Sequence, residues 1–294
     1  MYQVEEYYEA QSINEALKLL AGSPKRQIIA GGTDLLLKMR EGAIESAQLV
    51  SIRQIEALRE IKLDQENRIT IGPLATFADL AASELILKQT PILVEAALTV
   101  GGPQIRAMAT VGGNICNGVP SADSAPPLLA LDAHLKLQHK GSERVVPLQE
   151  FYLGPGRVDL LPGELLTAIT ISLDDYDAFG GCYIKFSPRK AMDLAIIGVA
   201  VTCRIEEKTK LDRVRIALGV AGPTPLRCPA AESFIQGKEA GKDTLLEFGK
   251  LAVASASARD SHRASKEYRE HLIAELSSRA LYAAFLRAGG EINV

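Results

Sequence analysis

The sequence predicts an α+β fold in two domains, and three observations predict it. The chain has 294 residues, enough to bury two separate cores. Its N-terminal end reads helix, strand, glycine turn, helix. Beyond Gly180-Gly181, three strand-like runs come together and two long helical stretches follow.

Taken in order, Ser12 and Glu15 have the spacing of a capping box, and Ile13, Ala16, Leu17 and Leu20 then line one face up to Gly22. Ile28-Ile29 is a β-branched strand that runs into Gly31-Gly32, with a helix from Leu35. Residues 67–72 form the next strand. Pro91 opens an apolar helix over residues 92–100, and Gly101-Gly102-Pro103 stops it. Residues 110–133 read as a small, polar, proline-bearing loop and then an apolar helical run. Residues 135–138 and 166–171 alternate as strands, and the acidic run at 174–177 with Gly180-Gly181 marks a domain boundary. Residues 182–186, 196–205 and 214–220 are three strands; the polar turn at 206–210 pairs the last two antiparallel. Helices over residues 243–258 and 265–288 end the chain.

Apolar residues make up 47% and charged residues 23%, with a net charge of −3. That is a soluble globular composition with no basic footprint for nucleic acid. No basic-then-apolar leader opens the sequence, and no apolar run reaches the ~18 residues of a membrane span, so a cytoplasmic protein is expected. Cys116, Cys182, Cys203 and Cys228 are dispersed, without a Cys-x-x-Cys pair. The expectation is free thiols in a reducing compartment and no local zinc or iron–sulfur set. The four histidines have no ligand spacing either, and no metal site is assigned.

Chemistry concentrates at two glycine pairs, Gly31-Gly32 and Gly112-Gly113. Glycines after a strand permit positive φ and let backbone N–H groups approach a ligand, and converging amides suit a diphosphate. Two such loops could grip one extended dinucleotide from both sides. A lone Gly-Gly is ordinarily a turn, and neither pair matches the Gly-x-Gly-x-x-Gly fingerprint.

The strings AGGTDLLLKMR and QIRAMATVGGNICNGVPSADSAPPLLALDA, continued by KFSPRKAMDLAIIGVAV, GVAGPTPLRC and SHRASKEYREHLI, resemble the FAD-binding medium subunits of the xanthine dehydrogenase and carbon monoxide dehydrogenase family of molybdenum hydroxylases. The likeness spans nearly the whole chain and is strongest to the separate flavin subunits of bacterial xanthine dehydrogenases. It implies a two-lobed FAD-binding domain over residues 1–178, with lobes at about 1–58 and 59–178, of the fold shared by vanillyl-alcohol oxidase and UDP-N-acetylenolpyruvoylglucosamine reductase. Residues 179–294 would form a C-terminal domain of a three-stranded antiparallel sheet with helices.

The resemblance also implies site residues. Gln27, Ile28, Ile29, Ala30, Gly31, Gly32, Thr33 and Asp34 form the first FAD segment. Ala109, Thr110, Val111, Gly112, Gly113 and Asn114 form the second, whose amides would close on the opposite phosphate face. Asp123 would contact the adenosine end, with Leu165 and Leu166 on a flanking strand. Lys185 would lie beside the isoalloxazine and favour its negatively charged reduced form, and Leu194 would lie over the ring, where an aliphatic side chain is easily displaced. Plainer readings stand beside these: Asp34 as a helix cap, Asp123 as a turn between Ser121 and Ser124, Lys185 as a solvated lysine on an edge strand. Arg106 could neutralise a phosphate, anchor the second loop, or form a surface salt bridge. Residues 263–269 read as a capped, structural helix start.

No residue is assigned to acid–base catalysis. The implied function is electron transfer through noncovalent FAD, from a 2Fe–2S small subunit to NAD⁺, while a molybdopterin large subunit oxidises xanthine or hypoxanthine. The implied assembly is a heterotrimer or its dimer. The rivals are the flavin subunits of carbon monoxide dehydrogenase and nicotinate-type hydroxylases and, from another class, a scaffold without flavin.

Overall fold

The computed structural model describes residues 3–291. The first lobe is a three-stranded parallel sheet in the order β1 (Val4–Glu9), β3 (Ala47–Ser51), β2 (Arg26–Ile29), with helix α1 (Ile13–Leu20) between β1 and β2 and α2 (Leu35–Arg40) between β2 and β3. The Ser12 hydroxyl accepts from the Glu15 N–H and caps α1. The Glu15 carboxylate reaches back to the Gln11 N–H, one residue before the cap, so the box closes a step early. Ala16, Leu17 and Leu20 are buried against Val50, Ile52 and Leu58, and the two leucines contribute on the order of 1.5–3 kcal/mol each. Gly22 does not enter the left-handed region. Its missing side chain instead leaves room for the Arg26 guanidinium, which donates to the Leu19 carbonyl and closes the end of α1.

The second lobe starts with β4 (Ile61–Leu63) and β5 (Ile69–Ile71). Eight elements follow in sequence: helices α3 (Phe77–Ala82), α4 (Glu84–Gln89), α5 (Pro91–Thr99), α6 (Pro103–Arg106), α7 (Val111–Cys116) and α8 (Ala125–Ala130), then β6 (His134–His139) and β7 (Ser142–Pro147). A short helix α9 (Leu148–Phe151) and a small hairpin of β8 (Tyr152–Gly154) and β9 (Arg157–Val158) lead to β10 (Leu165–Ile171), which enters the middle of an antiparallel sheet ordered β4-β5-β10-β6-β7. Helix α5 buries Ile92, Leu93, Val94, Ala96 and Ala97, too wide an apolar arc for a surface helix, and runs through the core. The expected loop over residues 110–124 is not a loop throughout: its first part is the helix α7, capped by the Thr110 hydroxyl on the Gly113 N–H.

Helix α10 (Leu173–Tyr176) leads into the third body, a sheet of β11 (Gly180–Phe186), β12 (Ile197–Glu207), β13 (Lys210–Gly219) and β14 (Leu226–Arg227). The three long strands pair antiparallel, as expected; the two-residue β14 is a fourth strand, too short to show alternation. Helices α11 (Pro229–Ile235), α12 (Lys242–Ala254) and α13 (Lys266–Arg287) pack on it through Phe248, Ile273, Leu281 and Phe285. Ser265 caps α13 by accepting from the Tyr268 N–H. The second and third bodies are fused through α8: Thr202 donates to the Ala130 carbonyl and Arg227 to that of Leu129. Beside them the Arg215 guanidinium, 4% exposed, pairs with Asp175 of α10. No helix among the described residues is long and apolar enough to cross a membrane.

Candidate functional site

A cleft of about 880 Å³ lies where the three bodies meet. Most of the predicted residues stand on its wall: Gln27, Ile28 and Ala30 through Asp34 from the first lobe, Ala109, Thr110, Gly112 through Asn114, Asp123, Leu165 and Leu166 from the second, Lys185 and Leu194 from the third. Ile29 and Val111 do not line it. Strand alternation turns Ile29 toward Leu35, Leu36 and Met39, and Val111 points from the first turn of α7 into the second lobe's core.

The first glycine pair is an open turn. Gly32 has φ +76°, a conformation that disfavours any side chain. Gly31 owes its identity to contact: a Cβ there would overlap the Met108 carbonyl oxygen, so the first turn rests directly on the turn after α6 that enters the second motif. The N–H groups of Gly31, Gly32, Thr33 and Asp34 donate no hydrogen bond within the described residues. Four adjacent amides without an internal acceptor thus stand on the cleft wall ahead of α2, a set of donors that suits an anion. Asp34 holds the N-cap position of α2 without a side-chain capping bond, which removes the capping role considered for it.

The second pair works differently from expectation. Gly112 and Gly113 lie in the first turn of α7 with no positive φ, and their amides are already used: Gly112 donates to the Pro73 carbonyl and Gly113 to the Thr110 hydroxyl, while the Val111 N–H goes to Ala75. In this structure these amides are engaged by protein acceptors, while Thr110 and Gly112 through Asn114 stay on the cleft wall. Glycine is required at 112 by packing, since a Cβ would come 2.7 Å from the Pro73 oxygen. Asn114 accepts from Ser124 at 2.6 Å and braces the return of the chain. The two motifs are tied by a residue the sequence reading passed over: Lys38 Nζ, on α2, donates to Asn117 Oδ1 at the end of α7 at 2.6 Å. Its position one turn after Asp34 on the same helix face was the available signal.

Asp123 and Lys185 form an ion pair of 2.7 Å with side chains 9% and 6% exposed. Lys185 also donates to the Thr99 carbonyl, and the Tyr183 hydroxyl donates to the other Asp123 oxygen at 2.9 Å. The solvated-lysine and local-turn readings are therefore set aside. So is the assignment of Asp123 and Lys185 to opposite ends of one dinucleotide, because the two touch. Burial pushes the Asp123 carboxyl above its ordinary value, while the Lys185 charge and the two donors pull it back. Burial and the adjacent carboxylate drive the Tyr183 phenol far up, so it stays a donor.

Beyond Lys185 the segment 187–194 is held by its own contacts. Arg189 pairs with Asp193 at 3.1 Å and donates to the Met192 carbonyl; the Leu194 N–H donates to Asp193. Met192 adopts φ 56°, and its sulfur lies over Gly102. Met192 and Leu194 stay 58% and 46% exposed at the rim. Arg106 donates to the Leu98 and Val100 carbonyls at the end of α5, a structural role in place of a phosphate contact or a surface salt bridge. Cys116 is on the cleft wall, its thiol pushed up to about 12 by burial and thus unreactive as a nucleophile at neutral pH. No group of three or more His, Cys, Asp or Glu among the described residues could hold a metal ion.

A glycine turn with free amides in a cleft between two α+β lobes and a third, antiparallel body suits an extended anionic ligand, and the comparisons with known proteins give the class, a flavoprotein subunit of an oxidoreductase. The family model described as FAD binding domain in molybdopterin dehydrogenase matches residues 2–173, and that of the CO dehydrogenase flavoprotein C-terminal domain matches residues 182–284. The chain belongs to the family of FAD-binding medium subunits of the xanthine dehydrogenase and carbon monoxide dehydrogenase molybdenum hydroxylases. It is similar to the xanthine dehydrogenase FAD-binding subunit of Escherichia coli O157:H7, at 36% identity over all of both chains. The 6-hydroxypseudooxynicotine dehydrogenase complex subunit alpha of Paenarthrobacter nicotinovorans is 32% identical over 96% of this chain and 95% of its own. A solved carbon monoxide dehydrogenase from Hydrogenophaga pseudoflava, lacking the Mo-pyranopterin moiety of its cofactor, superposes with a TM-score of 0.92 at 30% identity, covering 98% of this chain and 99% of that one.

Proposed function

We propose that this chain is the electron-transfer subunit of a cytoplasmic xanthine- or hypoxanthine-oxidising molybdenum hydroxylase, holding FAD noncovalently between a 2Fe–2S small subunit and NAD⁺. The molybdopterin would reside on a large subunit, in a heterotrimer or its dimer. We place the domain division at 178/179 and the lobe division at about 58/59. When bound, FAD supplies the electron chemistry, accepting electrons singly from the iron–sulfur side and passing two to the acceptor.

The observation that carries the reading is the row of unpaired amides from Gly31 to Asp34 in the cleft. They would receive the diphosphate, with the Lys38 ammonium supplying charge beside them. The Asp123–Lys185 pair would sit at the isoalloxazine end. Lys185 binds the Thr99 carbonyl, and Gly102, three residues on, meets Met192 of the segment that carries Leu194, so these groups share one end of the cleft. Leu20, Pro24 and Gln27, on the first lobe, would leave the adenosine end to that lobe. Held this way, the ring would have Lys185 to favour added negative charge, and Leu194 as the movable cover on its acceptor side.

Noncovalent binding has a direct check. Acid precipitation of the purified chain should release a yellow supernatant; colour that stays with the pellet would refute it. The acceptor is tested by following reoxidation of the reduced, assembled enzyme in a stopped-flow instrument with NAD⁺ and with a quinone. NAD⁺ should react faster, and Leu194→Tyr should slow the NAD⁺ reaction selectively by covering the ring with a phenol. Indifference of the wild type to NAD⁺ would favour the second reading, a flavin subunit of a carbon monoxide dehydrogenase type. The structural match to that enzyme supports this alternative.

A further inference from the structure

We infer that the N-terminal end of α13 carries a separate anion site, built from Arg259, Arg263 and Arg269, that takes the phosphates of a dinucleotide electron acceptor at the rim of the cleft. The inference deepens the proposed function and rests on it for the identity of the acceptor.

Arg269 is 4% exposed, yet no salt bridge among the described residues includes it, Arg259 or Arg263. Its guanidinium donates to the Ile196 carbonyl and, at 2.9 Å, to the Ser261 hydroxyl, and its Nε has no partner. Burial first, and then the charges of Arg259 and Arg263, hold Arg269 below the ordinary arginine value. Of the acids nearby in sequence, Asp260 accepts from the Lys266 N–H at 2.7 Å, Glu270 pairs with the Lys266 ammonium at 3.7 Å, and Glu267 stands exposed on the first turn of α13. A buried cation without an acid is costly, and two more cations beside it raise the cost. An anion bound among the three would offset it, and guanidinium forks match phosphate oxygens.

The cluster is placed for an acceptor. Ile196 lies two residues beyond Leu194, so Arg269 ties the segment 259–263 to the loop at the ring end. Arg263 lines the same cleft as Leu194 and Arg189. Tyr268, on the first turn of α13, packs edge-on against Phe186 at 6.2 Å, next to Lys185. The amides from Gly31 to Asp34 belong to the first lobe and serve the flavin's own diphosphate. The arginines of the third body therefore remain for a second phosphate-bearing molecule whose reactive ring reaches past Leu194.

The test uses the FAD-loaded full chain and the assembled enzyme, with ADP and NADH as probes and R259Q/R263Q as the variant. ADP should bind the wild type in a calorimetric titration, and the double variant should bind it at least roughly tenfold more weakly. In the assembled enzyme the KM for NADH should rise by a similar factor with a smaller change in kcat. Failure of ADP to bind the wild type, or equal binding to both proteins, overturns the site. If NADH fails to react while ADP binding still depends on the arginines, the acceptor assignment falls and the anion site stands. Should the double variant lose FAD, R259Q alone decides the matter, because Arg259 is not on the cleft wall.

Discussion

Gly31→Ala is expected to purify as a colourless protein. Its Cβ would overlap the Met108 carbonyl oxygen and press on Ala109, so one of two backbones must retreat. Both lead straight into the cleft, one to the unpaired amides of Gly32 to Asp34 and the other to Thr110 and α7. Forced displacement of this kind costs about 1–3 kcal/mol, equivalent to a loss of roughly 5- to 150-fold in FAD affinity. Quenching of flavin fluorescence on titration into the apoprotein measures it, and an unchanged far-UV spectrum shows the fold retained. Gly113→Ala is the control: its Cβ meets only the Thr110 hydroxyl, at 2.8 Å, and a single side chain can rotate away. Equal flavin affinity of Gly31→Ala and wild type would dismiss the idea that the two motifs must touch.

Lys185→Met should be the most destabilising change at the site. It leaves the Asp123 carboxyl buried without a cation, a loss of roughly 3–5 kcal/mol in urea unfolding of the apoprotein. Asp123→Leu combined with Lys185→Met should cost less than the single change, since no charge then remains to desolvate. The variant's pH dependence has a definite sign. Asp123 already has a raised carboxyl pKa, and losing Lys185 removes its largest lowering influence. A folded pKa above the unfolded one means that the native state holds the proton more tightly. The contribution of Asp123 to the stability of Lys185→Met is therefore fully present below the unfolded aspartate pKa of about 3.9 and is lost as pH rises through the folded value, which the difference between the variant and wild-type profiles reads. A single variant as stable as wild type across that range would show the pair to be dispensable.

Much of the fold is legible in local sequence. Residues 12–40 carry a cap, a 3.6-residue apolar period, a β-branched pair and a glycine turn, each pointing to the element that forms. The long strands after Gly180 and both terminal helices are equally plain. What is hidden is set by distant partners. Beyond Thr110, a cap for Gly113, little near Gly112-Gly113 announces a helix; Pro73 takes the Gly112 amide and Ala75 that of Val111, both from nearly forty residues away. β4 and β14 exist because neighbouring strands pair with them, and at three and two residues they have no pattern of their own. The site divides the same way. The two glycine strings name Gly31 to Asp34, Thr110 and Gly112 to Asn114 on the cleft wall, yet the pairing of Asp123 with Lys185 joins positions 62 apart, and only that contact shows that both stand at one place in the cleft. Arg263 lies inside a segment legible as a helix start, with nothing to mark it as part of the cleft wall.

The contact of Gly31 with Met108 and the reach of the cleft from Leu20 to Arg263 also bear on how the holoprotein is made. A growing chain presents its first glycine turn early, when neither the surface that backs it nor the lysine that meets Asp123 has been synthesised. Segments emerge and fold in order from the N-terminus, so the first lobe can form while the flavin pocket is still only one wall. If FAD fills this cleft as proposed, its capture would wait for nearly the last helix, and would then act as an inspection of the finished polypeptide.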